Sequence, residues 1–96
     1  MQLVQVLLHN NMLLEAIQLN LRFYKFEHAL ELARQSKGHP HPQSAYIGYV
    51  LSQRQQYLER FRQNESLKIF KDVNGKHKID HDAVQKLVNS SQGEAH

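Results

Sequence analysis

Seven histidines in 96 residues, two of them in a His-Pro-His string and two more four positions apart, raise metal chemistry first. Zinc takes three or four ligands held in a rigid tetrahedron. His77, His81 and either Asp80 or Asp82 supply three at most, with Lys76 and Lys78 set among them and a helix start expected between the two imidazoles; His39 and His41 stand by themselves. The spacing favours exposed polar histidines, and neither a metal nor another cofactor is expected. Asp72-Val73-Asn74-Gly75 has the alternating oxygens and bend glycine of a calcium loop. With Gly75 in the glycine position, Phe70 falls where the first carboxylate belongs and His81 where the bidentate glutamate belongs. A tight turn before the last helix explains Asn74-Gly75 instead.

Covalent catalysis has no better footing. Ser44, Ser52 and Ser66 sit in no strained nucleophile turn, the four glycines are isolated and build no phosphate cradle, and there is no cysteine. A chain this short has little interior to spare for a water-excluding cleft, so it reads as a non-enzyme without a small-molecule substrate. What remains is surface. Tyr46, Tyr49, Tyr57 and Phe61 give one long helix an aromatic edge, and tyrosine with arginine is the composition of binding hot spots. Helical spacing assigns Ile47, Val50, Leu51, Leu58 and Phe61 to the interior. That leaves Tyr46, Tyr49, Gln53, Arg54 and Arg60 as an outward edge for a protein partner. Leu3 and Leu7 join this partner-binding set, because a leading helix that is apolar all round cannot bury every side in so small a body.

The elements that position these residues are helices. Leu3 to Leu8 forms a short apolar helix that halts at Asn10-Asn11. Leu13, Leu14, Ile17, Leu21 and Tyr24 draw one stripe along a second helix over 12–23, and the pattern resumes at Phe26, with Ala29 and Ala33 as a small pair that lets a neighbour approach closely. Gly38, Pro40 and Pro42 make Ser36 to Pro42 a loop. The longest helix follows, from Gln43 or Ser44 to Asn64. Leu67 to Phe70 is a short helical or extended piece, Asp72 to Gly75 a turn, and a last helix, N-capped by Asp80, spans about Asp80 to Asn89. The expected fold is all-α: antiparallel helical hairpins of α-solenoid, TPR-like type, with a long helix and a short C-terminal helix, over a domain at 1–89 and a flexible polar tail at 90–96.

The formal charge is +3, with the excess concentrated between Arg54 and Lys78. An alternative reading follows from it, a small basic module holding nucleic acid or another acidic polymer through Arg60, Arg62, Lys68 and Lys71. Nucleic acid is disfavoured, because dense basic clustering and a recognisable reading element are both missing. Apolar runs are far shorter than a membrane span, so the chain is expected to be soluble and cytosolic, with no membrane partner.

Ala16-Ile17-Gln18, Asn20-Leu21, Tyr24, Glu27 and Ala29-Leu30-Glu31-Leu32-Ala33, followed in order by Val50-Leu51, Arg54-Gln55, Leu58-Glu59, Phe61, Gly75 and Ile79-Asp80, carry a family likeness. Over about Leu7 to Lys86 the chain resembles the C-terminal helical region of the eighty-kilodalton intraflagellar transport subunit, a WD-repeat protein of complex B. The resemblance implies a scaffold in cilium assembly, partnered by other complex B subunits and located in the cytoplasm, the cilium or flagellum and the basal body. The chain departs from that pattern in a longer stretch from Ser36 to Gly48 and in His81, where a tryptophan is expected. Both β-propellers of the family are missing, which points to a fragment, a truncated product or a short paralogue.

Overall fold

The apolar stripes become six helices in the computed structural model, which describes residues 2–94. They are α1 (Gln2–His9), α2 (Leu13–Arg22), α3 (Phe26–Arg34), α4 (Gln43–Arg60), α5 (Lys68–Lys76) and α6 (His81–Glu94), with no strand among the described residues. The all-α expectation holds.

Three helix ends share one device. Asn11, Tyr24 and Arg62 follow α1, α2 and α4 with φ of +56°, +59° and +52°. One residue further on, a backbone N–H donates back to a carbonyl five residues earlier: Met12 to Leu7 at 2.9 Å, Lys25 to Asn20 at 2.8 Å and Gln63 to Leu58 at 2.8 Å. This six-to-one bond is the Schellman stop, which usually recruits glycine at the left-handed position. Here it turns the chain sharply between α1 and α2 and between α2 and α3, stacking them as consecutive hairpins.

The core is built from small residues flanked by large ones. Ala16 of α2, Ala29 and Ala33 of α3 and Ala45 of α4 are wholly buried, so three helices approach closely while Ile17, Leu30, Val50 and Leu51 fill the space between them. Each such aliphatic side chain contributes about 1.5–3 kcal/mol on leaving water. Val4 fastens α1 to this layer, and α6 packs across α4 with Leu87 buried. Gly48 lies at that crossing, where a Cβ would stand 3.0 Å from Val84 Cγ2 and 3.7 Å from Ile79 Cγ2. Asp80 caps α6 as expected, its Oδ1 accepting from the backbone N–H groups of Asp82 at 3.1 Å and Ala83 at 3.2 Å.

Three boundaries differ from expectation. The long helix ends at Arg60 rather than Asn64, because the left-handed Arg62 reverses the chain. Asp72 to Gly75 belong to α5 and do not form a turn. Phe70 and Val73 lie one helical turn apart and both bury, and that anchorage overrides the turn preference of Asn74-Gly75. The third is the end of the last helix, expected near Asn89: the backbone of α6 continues to Glu94, while Ala95 and His96 of the expected tail lie outside the described residues.

Candidate functional site

Two residues of the expected outward edge of α4 point inward. Tyr46 is only 3% exposed, with the rings of His39 and His41 edge-on to it at 6.4 and 6.1 Å, and burial pushes its phenol above the ordinary value. The Ser36–Pro42 loop folds back over this tyrosine, a loop-to-helix contact that helical spacing does not record. Arg54 is 7% exposed. Its guanidinium lies over Phe26 at 4.9 Å, Phe70 at 5.4 Å and Tyr57 at 5.5 Å. Its Nε donates to Glu65 Oε1 at 3.1 Å and its Nη2 to Oε2 at 2.9 Å, while Oε2 also accepts from the Leu67 N–H at 3.1 Å. Hydrogen bonding from Arg54 holds the Glu65 carboxyl below the usual carboxylate range, and burial opposes the shift without cancelling it. Arg54 is thus a brace joining α4 to the start of α3, to α5 and to the segment leading into α5.

The remaining expected residues divide. Leu3 is exposed and Leu7 half-buried; with Leu19 and Arg22 they line a shallow depression along α1 and α2, and Val6 continues the exposed apolar face of α1. Tyr49 is half-buried against the core. Gln53 and Arg60 face a groove between the end of α2, the start of α3 and the C-terminal half of α4, which brings these two residues together with exposed rings.

Its walls are rings. Tyr57 sits at the centre, 5.0 Å from Phe26, 5.3 Å from Tyr24 and 4.9 Å from Phe61, all tilted rather than stacked. Phe26 is buried beneath, whereas Tyr24 is 62% and Phe61 47% exposed. Along the other wall Gln53, Gln56 and Arg60 fall at helical intervals on α4. The space amounts to about 190 Å³, under the roughly 300 Å³ at which small-molecule pockets begin. No carboxylate lines it. Arg60 lies over the Phe61 ring at 5.8 Å and forms no ion pair among the described residues.

Phe61, which helical spacing assigns to the interior, and Tyr24, which falls on the α2 stripe, are both surface members of the groove. Phe61 still follows the helical course of α4, its N–H donating to the Tyr57 carbonyl at 3.0 Å, but the chain reverses at Arg62 and leaves its ring 47% exposed; Tyr24 itself has the left-handed backbone, and its ring stands off the core. The break after Phe23 marks the second of these in the sequence, but nothing local marks the first. The histidines gather nowhere: among the described residues no three His, Cys, Asp or Glu come close enough to hold a metal ion, and no helix is long and apolar enough to cross a membrane. Exposed ring faces, side-chain amides and one cation line the groove.

Comparison with known families matches residues 2–96 to the IFT80/172/WDR35/WDR19 TPR domain. No curated protein and no solved structure matches the chain.

Proposed function

From a chain that belongs to the IFT80/172/WDR35/WDR19 TPR domain family, we propose a non-catalytic protein–protein scaffold acting in intraflagellar transport, with complex B subunits as its partners and cilium assembly at the cilium and basal body as its setting. The observation that carries the reading is the family match across residues 2–96, which makes the chain a TPR-type scaffold domain. The uncovered surface adds to it: an aromatic groove beside α4 and the outward Leu3 and Val6 of α1 are faces for protein contact.

The test is quantitative capture of the tagged chain from ciliated cells, with Leu30→Asp as a core-disrupted control. Enrichment of complex B subunits over unrelated ciliary proteins, lost in the control, is the expected result. Equal recovery of complex B with the wild-type and control chains would overturn the assignment.

A further inference from the structure

We propose that the groove beside α4 receives an extended, acidic segment of a partner protein, with an apolar or aromatic side chain seated against Tyr57 and Phe61 and a carboxylate on Arg60. The proposal rests on reading the chain as a binding module, and three features of the groove select the occupant. The first is charge. The groove has no acidic group of its own and its one guanidinium is unpaired among the described residues, while the adjoining depression, which shares the Tyr24 and Phe26 rings, sets Lys25 against Glu27 and so leaves Arg60 as the charge that selects the occupant. A carboxylate is the complement, and Arg presents it a planar fork of donors.

The second is backbone chemistry. Gln53 and Gln56 stand about 4.5 Å apart along the axis of α4, each offering an amide donor and acceptor. An extended segment has free backbone N–H and C=O groups to meet them; a helical segment has used its own internally. The third is the exposure of the rings. Tyr24 adopts a left-handed backbone that glycine and asparagine favour, yet its ring is mostly exposed, and with Phe61 it leaves two aromatic faces uncovered at the rim. A tilted trio of rings about 5 Å apart is a seat for one apolar side chain.

The experiment selects a random dodecamer phage library on the full chain and titrates the enriched peptides, made with a fluorescent label, by anisotropy. Enriched peptides are expected to carry net negative charge beside an aromatic, leucine or proline residue and to lack helical periodicity. Arg60→Glu and Phe61→Ser, both at exposed positions, are expected to weaken binding at least about tenfold, with circular dichroism melts unchanged. Arg60→Lys should retain part of the affinity, and Lys86→Glu, a charge change at another exposed site on α6, should retain all of it. The proposal is overturned if no peptide is enriched, if the winners are basic or amphipathic-helical, if Arg60→Glu and Phe61→Ser bind as well as wild type, or if Phe61 instead mediates self-association on size-exclusion chromatography. Unchanged complex B capture by a variant that has lost peptide binding would remove the groove while leaving the scaffold reading intact. Peptide binding without complex B capture would do the reverse.

Discussion

Removing the carboxylate of Glu65 should be among the costliest single changes outside the aliphatic core. The Arg54 and Glu65 side chains are 9% and 14% exposed, joined by two hydrogen bonds of 2.9 and 3.1 Å, and Glu65 also accepts from the Leu67 N–H. Glu65→Ala leaves a guanidinium enclosed by Phe26, Tyr57 and Phe70 without its counter-charge. Breaking a buried pair from one side costs about 3–5 kcal/mol. Residual water access to Glu65 places the expectation near the lower end, about 3 kcal/mol, which lowers the melting temperature of a domain this size by roughly 12–24 °C. Arg54→Met keeps the apolar stem on the three rings and gives up the ion pair, so the double variant should recover at least about 1 kcal/mol relative to the sum of the singles. Urea titrations followed by circular dichroism measure all four corners of the cycle. The pH dependence has a fixed sign: the folded-state pKa of Glu65 is lowered, so its contribution is present above the unfolded glutamate value of about 4.3 and fades as pH falls through the lower folded value. Glu65→Gln should therefore flatten the acid limb of the stability profile. A Glu65→Ala cost under about 1 kcal/mol, or strict additivity with Arg54→Met, would refute the brace.

Asp80→Ala removes the acceptor for two N–H groups at the start of α6 and should cost about 1 kcal/mol, read as a lower urea midpoint at unchanged slope. Gly48→Val drives a branched side chain into Val84 and Ile79; a loss of about 1–3 kcal/mol with faster amide exchange confined to α6 is expected, whereas uniform acceleration would place the damage elsewhere. Arg62→Gly frees the left-handed stop after α4 from its Cβ and should stabilise by about 0.5–1 kcal/mol after allowing for the looser unfolded chain, visible as a melting temperature raised by a few degrees.

Periodicity located α2, α3 and the N-cap of α6 closely, because Leu13, Ile17, Leu21 and Ala29, Leu30, Ala33 satisfy helical spacing and core burial together. It misjudged 72–75, where the local preference of Asn74-Gly75 for a turn competes with burial of Phe70 and Val73, a tertiary effect with no signature inside the segment. The candidate site was half legible. Gln53 and Arg60 follow from the wet side of α4, but Tyr46 and Arg54 share that helix and are claimed from outside it: by the His39–His41 loop in one case, and by Glu65, Phe26 and Phe70 in the other. Spacing along one helix states which residues share a face and is silent on what later folds over it. The backbone reversals that bring out Tyr24 and Phe61 escape it for a related reason, since tyrosine and arginine are not the residues by which left-handed stops are recognised.

The main pairings of the helices follow their order in the chain, α1 on α2, α2 on α3 and α3 on α4, and a member is skipped where α4 also meets α2 and where α6 returns to α4. A polypeptide wired this way can assemble in the order of its synthesis, since α2, α3 and α4 each pack on the helix just made. On the ribosome the α2–α4 layer would close with the Gly48 notch still vacant. α6, emerging after α4, would then drop Val84 into it, making that insertion a late step to seek in refolding kinetics.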